Sequence, residues 1–206
     1  MFNTINGLES SVLDGKKTMI RKKTHIPKTC NGIWVAGFTK WTNSLGQSFT
    51  ELYDEDERSI DGGELKEPYE IGEIVAIKQS YNSLNKNYID SLPNSDELKN
   101  SKGWFNKLYV KKELMPHHIK IVSIFPQRLQ DITNDDCFKE GIWEDSNFDE
   151  YSGNFDEEEF YGFSDDDYPV YDSPKDAFIA MVDTLKGKGT WDRNDWVWAV
   201  EFELIN

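Results

Sequence analysis

The C-terminal third carries the clearest hydrophobic periodicity in the chain. Ser173-Pro174 reads as an N-cap followed by proline at the first helical position, where a missing N–H costs nothing. Ala177, Phe178, Met181, Val182 and Leu185 then recur at helical spacing, and Gly187 closes the helix. After the polar turn Trp191-Asp192-Arg193-Asn194-Asp195, residues 196–204 alternate by two. Trp196, Trp198, Val200, Phe202 and Leu204 share one face of this strand, and that face is predicted to be core.

Upstream the pattern is mostly that of short strands. Asn31-Gly32 precedes a brief strand over 33–36, followed by a polar loop to about Lys66. The β-branched run over 74–79 predicts a central strand, and 108–111 and 119–125 predict two more. Residues 80–102, rich in Asn, Ser and Lys, read as a loose loop. A capped helix is predicted over 131–141, with Thr133 as N-cap, Asp135 and Asp136 in the first turn and Gly141 at the end. Near the N-terminus, Leu8, Val12 and Leu13 share a helical face, and Gly15 supplies the left-handed residue that stops the helix. Five or six short strands with a few helices at their ends predict an α+β fold built on a small mixed barrel.

At 206 residues the chain suits one enlarged domain, 1–206, with insertions at about 40–66, 82–103 and 144–172. Its hydrophobic content is only 37%, but aromatic residues at 14% compensate through large areas buried per ring. Cys30 and Cys137 fit no metal or redox spacing, adjacent His117 and His118 cannot share a strand face, and residues 54–63 lack the ligand positions of an EF-hand loop, so neither metal nor cofactor is expected. No apolar run approaches the roughly 20 residues of a membrane span. With no signal-peptide pattern either, the expectation is a soluble, cytoplasmic chain without membrane partners.

Charge changes this picture most. The formal net charge is −15, yet Lys16, Lys17, Arg21, Lys22 and Lys23 gather five cations into eight residues. Between Glu144 and Asp172 stand twelve acids and no Lys or Arg; without them 26 acids face 23 bases, so the body is close to neutral. That segment interleaves its acids with Phe148, Tyr151, Phe155, Phe160, Tyr161, Phe163, Tyr168 and Tyr171 in no steady period. It reads as a long excursion, part-ordered where its rings dock, whose charge density cannot support a core of its own. It also offers a surface for a protein partner. Its repulsion of phosphate argues against non-specific binding of duplex DNA.

Four motifs in order resemble the ASCH domain of the PUA-like superfamily. They are Val-Leu-Asp-Gly-Lys-Lys-Thr (12–18) with Arg21, Tyr-Glu-Ile-Gly-Glu-Ile-Val (69–75), Arg-Leu-Gln-Asp-Ile-Thr (128–133) with Glu-Gly-Ile (140–142), and the strand opening at Asn194-Asp195-Trp196. The landmarks run from about Leu8 to Leu204, and the likeness is to the larger phage and prophage type. The resemblance implies a PUA-like mixed β-barrel with short flanking helices, a long acidic insertion and a cleft that binds RNA or a nucleotide. One branch of the family hydrolyses the acyl amide of acetylated cytidine, and there the residues matching Lys17 and Glu140 act with a threonine three positions beyond the lysine. This chain has Ile20 at that position, which can neither attack a carbonyl nor relay a proton.

The chemistry of these residues leaves several readings side by side. A lysine in a desolvated cleft becomes a base at neutral pH, whereas a neighbouring glutamate holds it charged. Lys17 and Glu140 are therefore candidates for catalysis, for orienting a ligand, or for tying a helix end to the first strand. Arg21 is a candidate phosphate fork, with Lys16 and Lys22 beside it. Trp191, with Arg193 in the same turn, either stacks on a base or packs over the barrel mouth. The corresponding functions are a nucleotide- or single-stranded-RNA-binding module, an amidohydrolase of an acylated nucleoside, and an acidic protein that engages a host factor.

Overall fold

The computed structural model describes residues 9–42, 44, 48–63, 65–148, 155–163 and 170–205, with backbone only at 48, 146–148 and 155–158. Helix α1 (Glu9–Leu13) ends at Gly15, whose φ of 72° is the left-handed conformation expected there, and leads into strand β1 (Met19–Lys23). Strands β2 (Thr29–Cys30) and β3 (Ile33–Trp34) form a tight hairpin through Asn31 and Gly32, both at positive φ. Asn-Gly suits such a turn because both central residues must be left-handed.

A three-stranded antiparallel sheet of β4 (Gly37–Thr42), β5 (Ser48–Tyr53) and β6 (Ser59–Ile60) occupies the stretch that reads as a polar loop. Phe38, Leu52 and Ile60 lie across it in register and are buried. One inward apolar residue per strand is enough to seat the sheet but too sparse to register as a period.

Strand β7 (Ile74–Ala76) is followed by α2 (Lys86–Ser91), α3 (Ser95–Lys99) and several short 3-10 turns. The expected loose loop is thus ordered around its own cluster of Tyr81, Leu84, Ile89 and Leu98, joined by Val110 and Met115. The strand expected over 108–111 is a 3-10 turn over Lys107–Tyr109 followed by extended chain. The Asn106 side chain accepts from the Leu108 N–H at 2.9 Å, a local bond that competes with a ladder.

Strand β8 (His118–Arg128) leads to α4 (Asn134–Lys139), then to β9 (Trp143–Phe148) and β10 (Phe155–Gly162), helix α5 (Pro174–Lys186) and strand β11 (Trp196–Ile205). The capped helices stand as their sequences predict: Thr133 Oγ1 accepts from the Asp136 N–H, and Ser173 Oγ from that of Asp176. The acid-rich segment contains the β9–β10 hairpin, tied to Tyr171 through paired backbone bonds with Tyr161. Its residues 149–154 and 164–169 lie outside the described residues, as does Leu8.

The main sheet runs β1-β11-β8-β7, antiparallel throughout and curled into a half-barrel, so the fold is α+β. Both faces of β11 are covered. Trp198, Val200 and Phe202 join Phe38, Leu52 and Ile121 on one side, as the alternation predicts. Val197 turns to the other side, where Phe178, Met181 and Val182 of α5 meet Cys137 of α4 and Tyr161 of the acid-rich hairpin. Among the described residues, no helix is long and apolar enough to cross a membrane.

Candidate functional site

Lys17 is placed by bonds at both ends of its short connection. Its N–H donates to the Ser11 carbonyl of α1, and the next N–H, of Thr18, donates to the Lys139 carbonyl at the end of α4, each at 2.8 Å. Glu140 is the C-cap of α4, and Gly141 follows at a φ of 98° that favours glycine. The side chains meet across 123 positions of sequence: Lys17 Nζ donates to Glu140 Oε2 at 2.6 Å and also to the Glu140 carbonyl.

Arg21 completes the group from β1. Its Nη1 donates to Glu140 Oε1 and its Nη2 to Asp136 Oδ2, both at 2.9 Å, while the Phe178 ring lies 5.6 Å from its Cζ. Arg21 Nε is buried with no hydrogen-bond partner among the described residues. Lys186, an exposed residue in the last turn of α5, donates through its ammonium to the Arg21 carbonyl at 2.7 Å.

Three cations thus face two carboxylates in a poorly hydrated place. Burial lowers the Lys17 pKa, and the Glu140 carboxylate opposes that shift. Lys186 is lowered as well, by burial first and by the Lys17 and Arg21 charges in addition, against the pull of Glu140. The adjacent Cys137 thiol is pushed up to about 12, chiefly by burial, so it stands protonated and unreactive.

Lys17, Arg21 and Glu140 are each only 4% exposed, so the expected open cleft is instead a covered cluster. The reason is that α4 and α5 pack over this face of β1. Lys16 is exposed beside the cluster. Lys22 does not join it, because neighbouring strand residues point to opposite faces. It donates instead to the Tyr69 hydroxyl at 2.8 Å, beside a groove of about 690 Å3 lined by Tyr69, Glu70 and Glu73.

Trp191 and Arg193 are also used elsewhere. The Trp191 ring packs edge-on against Phe178, centroids 6.3 Å apart, and the Trp191 backbone N–H donates to Asp183 Oδ1. Arg193 folds back on its own turn, donating to the Gly189 carbonyl and to Thr190 Oγ1. Trp191 is thus taken up by packing on α5, and Arg193 by its own turn. Ile20 lies against the core on the far side of β1.

Asp136 and Lys186 belong to the cluster but carry no sequence signal for it. Each reads as an ordinary complement to a helix dipole, an acid in a first turn and a base in a last turn. Among the described residues, no group of three or more His, Cys, Asp or Glu is placed to hold a metal ion. No protein-family model matches this chain, and neither does any curated protein or solved structure.

Proposed function

We propose that this protein is a nucleotide- or single-stranded-RNA-binding module of the ASCH, PUA-like type, with the Lys17–Arg21–Glu140 cluster as its anion-holding floor. The supporting observation is the meeting of Lys17 and Glu140, two motifs far apart in sequence, at hydrogen-bond distance. The excess of one positive charge and the spare donor on Arg21 Nε favour an anionic group, and a phosphate satisfies both. Ligand entry exchanges part of the internal pairing for ligand contacts, with Lys186 as the outermost cation.

The amidohydrolase reading draws on the lowered pKa of Lys17, which suits a general base. Against it, Ile20 faces away and the Cys137 thiol is protonated, so neither supplies a nucleophile and the attack is left to water. Little or no deacylation of acetylated cytidine is therefore expected.

The test is thermal unfolding of the full chain with nucleoside monophosphates and six-nucleotide RNAs. A ligand at a hundred times its Kd stabilises by about 2.7 kcal/mol, and for a chain of this size that raises Tm by roughly 5–10 °C. Lys186→Met should reduce the rise while leaving the unliganded protein folded, and Lys17→Met should abolish it. No rise with any ligand at millimolar concentration would sink the reading.

A further inference from the structure

Between Glu97 and Glu113 this acidic chain carries five lysines and no acid: Lys99, Lys102, Lys107, Lys111 and Lys112. The apolar residues among them divide sharply. Val110 is buried and Trp104 packs on the small cluster around Tyr81, whereas Phe105, Leu108 and Tyr109 are 80%, 64% and 57% exposed.

The outward residues stand on an anchored base. Gly103 lies so close to the Tyr81 ring that an added Cβ would come within 2.5 Å of it. The Tyr81 hydroxyl accepts from the Lys111 N–H at 2.9 Å, and Asn106 closes the turn that presents Leu108 and Tyr109. Lys102 Nζ sits 5.5 Å from the centre of the Tyr109 ring, and Lys107 pairs with Glu9 at 3.5 Å.

We infer that this Lys99–Lys112 surface is a stacking platform for single-stranded nucleic acid, with Phe105 and Tyr109 receiving bases and Lys102, Lys111 and Lys112 lining the phosphate path. Lys99 is paired with Asp90 and Asp96, and Lys107 with Glu9. Unpaired bases offer π-faces and their backbone offers negative charge, the two features that this surface complements. A duplex hides its base faces and matches only the lysines. The setting favours the same occupant. Lys107 pairs with Glu9 at the start of α1, and Lys16 and Lys17 follow the end of that helix, so α1 links the platform to the cationic cluster. The platform is a separate site, and it stands or falls independently of the cluster.

The experiment is fluorescence anisotropy of the full chain with labelled twelve-nucleotide RNA, the same sequence as single-stranded DNA, and its duplex. Single strands should bind more tightly than the duplex, and the RNA and DNA arms report whether the 2′-hydroxyl contributes. Phe105→Ala/Tyr109→Ala should weaken single-strand binding by about tenfold or more. Lys111→Gln/Lys112→Gln should flatten the dependence of log K on log salt by roughly 1.4. All four positions are exposed, so both variants should unfold like the wild type. Retention of the nucleotide-induced Tm rise in the aromatic variant would assign its loss to the platform alone. Unchanged binding by that variant, preference for the duplex, or binding only to phosphatidylserine vesicles would overturn the inference.

Discussion

Glu140 accepts from two cations at once, and Lys17 and Arg21 would repel each other without it. Removing one member of a buried ionic group leaves an unpaired charge, at a cost of about 3–5 kcal/mol. That is why Lys186, at the edge, is the informative position for a binding test. Cys137 beside them makes the environment measurable. Its thiol is raised from 9.0 to about 12 in the folded chain, so the unfolded chain releases that proton first. The stability it contributes is complete below pH 9 and is lost as pH rises toward 12. Urea unfolding at pH 8 and pH 10.5 should therefore show a larger alkaline loss in wild type than in Cys137→Ala. Parallel pH profiles would show that the thiol is not held in this way.

At the scale of elements, the capped helices α4 and α5 were legible, whereas the small sheet and helices α2 and α3 were not. Ser173-Pro174 and Thr133 write their caps into adjacent residues, and the bonds they predict are present. Strands β4, β5 and β6 each commit one large apolar residue to the core, while Trp41 and Phe49 stack on each other at the exposed end and the other positions are mostly polar. Leu52 is the middle of that row, paired across to Phe38 and Ile60. Leu52→Ala should cost about 2–5 kcal/mol in urea unfolding, as for a core residue. A loss below about 0.5 kcal/mol, the level of an ordinary surface change, would mean that the sheet is not seated on the core.

Across the whole molecule the acid-rich hairpin is part of the packing. Its Tyr161 is 8% exposed, meets Phe138 with ring centres 6.2 Å apart, and helps to cover the cluster beneath α5. Tyr161→Ala should cost about 3 kcal/mol by analogy with buried aromatic truncations, lowering Tm by roughly 6–12 °C. An unchanged Tm would restore the view, natural from charge alone, that 144–172 is a separable excursion.

The sequence by itself determined what neighbouring residues decide. Helix caps, the left-handed stops at Gly15 and Gly187, the alternation of β11 and the α+β character all depend on spacings of a few positions. It also marked Lys17, Arg21 and Glu140 as residues of one group, through motifs rather than through any property of each alone. Only the tertiary structure decided their exposure, because α4 and α5 cover that face of β1. It alone brought in Asp136 and Lys186, whose local spacing carries no trace of a partner on another element. It also separated Lys22 from Arg21, since one step along a strand reverses the face. Finally it turned Phe105, Leu108 and Tyr109 outward and Val110 inward, a division that a turn's geometry sets and no period announces.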